Sequence, residues 1–454
     1  MQTEQRATGD GQLPRPNRRD GRPRIWFHLV ALLAVLGLVT ACTGGANKSG
    51  NDGPAGEQNA SSAAPSTESE SDKLIATAQR QAAQYDYDAA IATLSTADQD
   101  AAKPVLQEIQ AAQSQAVVWP DNTTISHLFW HSLIVDPARA FGDPAQGTGF
   151  SQYMVTVHEF TLQLEQLYAN GYVLVHPDRI AAMGADGVMT PTPIVLPPGK
   201  KPLVISVDDV NYYEYMEGAG FANKLIVNGN GDVVNTYTDA AGNTSEGSYD
   251  VVPIVDEFID DHPDFSYRGD KGTLAITGYN GVLGYRSSVS SYGDSPTTQA
   301  EQAQAKVVAD ALKADGWKFA SHSWGHISMT TSGLGWITED AQKWDAEVRP
   351  LIGDTPFLIY PFGADISGIE KYGQNNPKFA FLHNTEGFSY YFNVDGSQEY
   401  WMQIGPQSVR QARINVDGIT LQKALDGSTL LTPFFDPQST IDPQRPLPVP
   451  GVGG

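Results

Sequence analysis

Two histidines four residues apart, His322 and His326 in KFASHSWGHISM, and two adjacent aspartates, Asp208 and Asp209 at the end of KPLVISVDD, are the residues of this chain best suited to holding a metal ion. Nine histidines are spread over 454 residues, so a close pair stands out. Two imidazoles and one carboxylate make a donor set for a divalent cation, with positions left open for water. Taken alone, HxxxH is a weak pattern that is more often structural, and most paired acids are solvated surface charges. Here both groups follow predicted buried strands. Carboxylates at the end of such a strand are costly to desolvate unless a cation or a chemical task compensates.

Such a site needs a scaffold that gathers strand ends. KPLVISV (201–207) is a continuous apolar run, as in a parallel strand buried on both faces. TISHLFWHSLIV, ending at Val135, GTLAITGYN, KFASHSW and PFLIYPFG read as further strands. Between them, VTVHEFTLQLEQLYANGY (155–172), YDVVPIVDEFIDDH and TTQAEQAQAKVVADALKADGW carry helical periods. Strands alternating with helices predict βα units, a parallel sheet and, at this length, an α/β barrel whose chemistry lies at the carboxyl ends of the strands. The Gly-rich TGYNGVLGYRS (277–287) follows one of those strands and is expected to border the groove. Residues 224–249 read as an inserted hairpin. Residues 72–118 read as a helical hairpin that must pack on something else, because a single hairpin cannot bury its own face. After residue 432 the chain is a Pro- and Gly-rich tail, 433–454.

With these motifs the chain resembles, from about Ser126 to Thr420, the polysaccharide deacetylases of the NodB-homology type (carbohydrate esterase family 4). SVDDV resembles that family's first motif, in which the first aspartate is the catalytic base and the second binds metal. HSWGH resembles the second, H-[ST]-x-x-H, in which both histidines bind metal, and YPFG (360–363) the third, a loop lining the acetyl pocket. The resemblance implies a distorted (β/α) barrel for residues 122–432. It also implies Asp208 as base, and Asp209, His322 and His326 as ligands of a divalent metal such as Zn²⁺. Ser323 would brace the histidine loop, and Tyr360, Pro361 and Phe362 would bind substrate. Many members carry an arginine shortly before the proline of the third motif, where this chain has Leu358, Ile359 and Tyr360. They also carry a late Leu-x-His whose histidine is the acid; the closest late candidate is His383 in FAFLHNTEGF. In motif order the chain is closest to the circularly permuted poly-N-acetylglucosamine deacetylases, whose acid histidine precedes the first motif. LFWHSLI gives His131 that role, with His383 as the alternative.

The N-terminus describes the compartment. Six arginines and three acids occupy residues 1–24, followed by an apolar run, Leu29–Ala41, too short for a bilayer-spanning helix but suited to a signal peptide. LVTAC resembles a bacterial lipobox, so residues 1–41 are expected to be removed and Cys42, the only cysteine, lipidated. Residues 42–71, rich in Gly, Ser, Asn and Glu, read as a tether from the extracytoplasmic membrane face. A formal charge of −23 excludes nucleic acid as a partner, because that requires clustered Lys and Arg.

These expectations converge on hydrolysis of an N-acetylated cell-surface or cell-wall polysaccharide. An O-acetyl glycan esterase and an inactive glycan-binding lipoprotein are the alternatives. Substituting Cys42→Ala is expected to block lipid attachment and release the protein from membranes. Membrane retention equal to wild type in a fractionation assay would refute it.

Overall fold

The computed structural model describes residues 69–452, so Cys42, the signal segment and nearly all of the tether lie outside the described residues. Seven parallel strands form the barrel: β1 (Ser126–Trp130), β2 (Lys201–Val207), β3 (Thr273–Ile276), β4 (Lys318–Ser321), β5 (Phe357–Ile359), β6 (Tyr390–Val394) and β7 (Val409–Asn415). Each pairs with the next in chain order, and β7 returns to β1 to close the ring. The closure is distorted at β2. Its first half pairs with an extra strand, Tyr172–Leu174, and only Ser206 and Val207 reach β3 on that side. The fold is a distorted (β/α) barrel.

Both faces of the strands are covered, which is why β2 reads as an unbroken apolar run. Leu203, Ile205 and Val207 point outward into the main core. There they meet Phe160 and Leu164 of the helix Val157–Ala169, Val255 and Ile259 of Val251–Asp261, and Val308 and Leu312 of Pro296–Ala314. Each such side chain contributes about 1.5–3 kcal/mol by leaving water. Along β3 to β6 the interior is apolar, filled by Ala275, Ala320, Phe357, Ile359, Tyr390 and Phe392. Along β7, β1 and β2 it is polar, with Gln411, Arg413, His127, Ser206 and Asp208 all buried.

The structure revises four elements. The early strand ends at Trp130, so His131 stands just beyond it, at the carboxyl end of the barrel. The expected hairpin of residues 72–118 is three helices, Glu70–Ala83, Tyr87–Leu94 and Gln99–Gln115. They bury Ala78, Ala90, Leu94 and Ile109 in one cluster with Val173, Val175, Ile194 and Val204. The insert at 224–249 is a three-stranded antiparallel sheet rather than a hairpin.

The segment after Pro433 is docked through its side chains, which its Pro and Gly content did not suggest. Phe434 and Phe435 are buried, and the Arg445 guanidinium donates to both Glu159 oxygens at 2.5 Å, with both side chains fully buried. Glu159 also caps the helix Val157–Ala169 by accepting from Thr156 N–H. Removing the cation strands a buried carboxylate. Arg445→Met is therefore expected to lower unfolding free energy by about 3–5 kcal/mol, measurable by denaturant titration.

Candidate active site

Asp208 and Asp209 follow β2 and point different ways. A residue at the end of a strand alternates faces with its neighbour, but Asp209 has φ +59°, a left-handed conformation that breaks the alternation. Asp208 continues the inner face. Its Oδ1 accepts from Arg413 Nη1 at 2.7 Å and its Oδ2 from Nη2 at 2.9 Å. Asp209 instead turns to the histidine loop, its Oδ1 3.9 Å from both His322 Nε2 and His326 Nε2. One donor atom from each of Asp209, His322 and His326 lies within 4.8 Å of the other two.

Two of the three ligand candidates, His322 and Asp209, are held by partners the sequence motifs did not include. The His322 ring donates from Nδ1 to the Ile359 carbonyl at 2.8 Å, which leaves Nε2 unprotonated, 3.9 Å from Asp209 Oδ1 and 4.0 Å from Asp208 Oδ2. Burial pushes His322 down to about 4 despite the two aspartates, so its ring is neutral at neutral pH and ready to ligate. Tyr213 donates to Asp209 Oδ1 at 2.6 Å. Ser323 and His326 also sit at positive φ, in a loop closed by Ser323 Oγ accepting Ile327 N–H at 3.0 Å. The Asp340 carboxylate accepts the Trp324 and Gly325 N–H groups at 2.8 Å each. The donor set and its supports fit a divalent cation.

The arginine paired with Asp208 is Arg413 of β7, whereas Leu358, Ile359 and Tyr360 precede Pro361. Burial raises the Asp208 carboxyl, yet the Arg413 charge, then His322, the guanidinium hydrogen bonds and His131 outweigh it and hold the group at about 2. Burial likewise opposes ionisation of Asp209, which His326, His322 and His131 draw below the usual range. His131 therefore shares the field of both aspartates. Its Nδ1 is buried without a partner, and its ring packs edge-on to Phe129 at 5.7 Å. His383 goes elsewhere: it lies on the helix Pro377–Asn384, stacked on Phe379 at 5.2 Å and bonded to the Phe388 carbonyl.

The third-motif residues divide. Tyr360 is 0% exposed and bonds the Tyr372 hydroxyl at 2.6 Å outside the barrel, so its side chain is not available to a substrate. Pro361 is buried. Phe362 is 71% exposed at φ +59°, its ring edge-on to His326 at 4.4 Å. The 277–287 loop does border the site. Thr277 Oγ1 bonds the Tyr213 hydroxyl at 2.7 Å, and Gly278 and Tyr279 donate to the Trp324 carbonyl. A Cβ at Gly278 would lie 2.1 Å from the Trp324 ring, which is why glycine stands there.

No protein-family model and no curated protein matches the chain. Among solved structures, a Streptococcus pyogenes deacetylase, PplD, in complex with acetate, is similar at a TM-score of 0.35 and 16% identity, over 67% of this chain and 94% of that one.

Two expectations follow. His326→Ala leaves two protein donors, so zinc content after dialysis should fall from near one per chain to a small fraction. Stoichiometric zinc in that variant would exclude the assignment. The folded pKa of Asp208 lies below its unfolded value of 3.8, so the Arg413 pair contributes stability that is full above about pH 4 and is lost as pH falls towards 2. The shift corresponds to about 2–3 kcal/mol. Arg413→Met should therefore destabilise strongly at pH 7 and much less at pH 3, read by urea unfolding at both.

Proposed function

We propose that the protein is a metal-dependent deacetylase that hydrolyses the N-acetyl groups of a polysaccharide. The observation that carries this reading is the division of labour between adjacent carboxylates. Asp208 is fixed by a guanidinium inside the barrel, and Asp209 is turned to two histidines. Carboxylates placed in different environments take different roles.

In this reading Asp209, His322 and His326 hold the cation, zinc being the first choice for such a donor set. When bound, it supplies Lewis acidity, which makes water a nucleophile near neutral pH and polarises an acyl oxygen. Asp208 is ionised throughout the working range and takes the proton of the attacking water. The Gly363 and Ala364 N–H groups are committed to the Tyr360 and Pro361 carbonyls, so the Phe362 N–H is the loop amide left to meet the developing oxyanion. His131 delivers a proton to the sugar nitrogen as the C–N bond breaks, giving acetate and a free amine. Phe362 offers the exposed apolar surface for a sugar ring. Lipidation at Cys42 would keep this activity at the extracytoplasmic membrane face, where N-acetylated wall or surface glycans are found.

The test is acetate release from N-acetylglucosamine oligomers, from an O-acetylated glycan and from 4-nitrophenyl acetate. Asp208→Asn should keep its metal and lose about 10²–10⁴-fold in turnover. His131→Ala should lose most turnover on the amide and much less on the aryl ester, whose leaving group needs no proton. His383→Ala should match wild type on both. Turnover of Asp208→Asn within a few-fold of wild type would reassign the base, and a crippled His383→Ala would reassign the acid. Release from the O-acetylated glycan alone would make the enzyme an esterase.

A further inference from the structure

The polar half of the barrel interior contains one continuous run of hydrogen bonds, and the direction of each bond in it can be assigned. Gln411 donates from Nε2 to the Ile125 carbonyl at 2.9 Å, so its Oε1 is an acceptor. That oxygen lies 3.1 Å from His127 Nδ1, which must therefore carry the proton. His127 Nε2 is then an acceptor, 2.8 Å from Ser206 Oγ, and the Ser206 hydroxyl hydrogen points to it. With its hydrogen so committed, Ser206 Oγ offers a lone pair to Arg413 Nη1 at 3.1 Å. The same nitrogen donates to Asp208 Oδ1. All five residues are at most 3% exposed. Burial drives His127 well below the usual histidine range, which keeps the ring neutral and the direction of the chain fixed. None of His127, Ser206 or Gln411 touches the metal-ligand set.

A guanidinium could be held here by Asp208 alone, over the Phe129 ring that packs 3.9 Å from its carbon. Apolar residues would fill the interior as well, as they do along β3 to β6. The chain instead fixes which way Arg413 presents its fork, and so where the two oxygens of Asp208 lie. We propose that His127, acting through Ser206, is a positioning residue that sets the Arg413–Asp208 pair for the reaction. The proposal rests on Asp208 being the base.

Two measurements test it on the intact, zinc-loaded protein. The first reads imidazole nitrogen-15 shifts in histidine-labelled protein, with His127→Phe to assign the signal. It should show His127 neutral and protonated at Nδ1; an Nε2-protonated ring would overturn the chain. The second compares Ser206→Ala, His127→Phe, their double variant and Ser206→Thr on N-acetylglucosamine oligomers. Ser206→Ala and His127→Phe should each lower kcat by about tenfold or more at unchanged KM and zinc content, because small misplacements of a reacting group are costly. The double variant should be no worse than the worse single one, as for residues acting as a unit, and Ser206→Thr, which keeps the hydroxyl, should recover. Turnover of Ser206→Ala within twofold of wild type, with Asp208→Asn inactive, would overturn the proposal and leave the base assignment intact. If Asp208→Asn is itself active, the base assignment is what fails, and the proposal falls with it. Loss of zinc or of folded protein in step with kcat would mark a structural role and also overturn it.

Discussion

The ion pair between Asp208 and Arg413 is the constraint around which the site is organised. Two charges taken from water into a barrel interior lose several kcal/mol of solvation each, and only close, doubly bonded geometry returns it. Here the two oxygens meet the two terminal nitrogens at 2.7 and 2.9 Å. The partners sit just after β2 and on β7, on either side of β1 and 205 residues apart in the chain. The carboxylate is therefore held only once the barrel has closed. Folding and the positioning of Asp208 become one event.

That pair also explains why the interior is split. Alanines at 275 and 320 leave room for Phe357, Ile359 and Phe392 on the far side, a dry packing that needs no hydrogen bonds. The near side must satisfy a guanidinium and whatever surrounds it, so its inner positions carry His127, Ser206 and Gln411. At the carboxyl end, Asp209, Ser323, His326 and Phe362 all take left-handed backbone conformations. Each costs on the order of 1–3 kcal/mol for a non-glycine residue. Bonds from Tyr213 to Asp209 and from the loop amides to Asp340 and Ser323 offset this and keep the ligand candidates aimed inward. These four residues are half of the eight non-glycine residues with positive φ among the described residues, which matches a site whose shape is set before a ligand arrives.

The acids after β2 and the histidines after β4 were legible in the sequence because each group follows an apolar run too continuous for a half-exposed strand. The same runs implied parallel strands covered on both faces, and hence the barrel. Arg413 was harder to find, although VRQARIN carries a signal: alternation places Val409, Gln411 and Arg413 on one face, and a charged residue among buried ones needs a partner. Tyr213, Thr277 and Asp340 left no such trace, since a tyrosine or an aspartate in a loop is ordinary wherever it falls. Tyr360 shows the converse. Its position in a motif suggested contact with substrate, but the strand register turns its ring outward against Tyr391 and Tyr372.

Residue types and spacing were enough by themselves to point to the acids and histidines and to the alternation of strand and helix, because these are local properties of the chain. Which carboxylate faces the arginine and which the histidines was decided only by tertiary structure, through one left-handed residue at 209 and the closure of β7 onto β1. His131 and His383 both follow apolar residues, and only the folded barrel brings one of them, His131, into the field of Asp208 and Asp209. Spacing along the chain constrains distances over a few residues, whereas contacts across 200 residues depend on how the sheet closes.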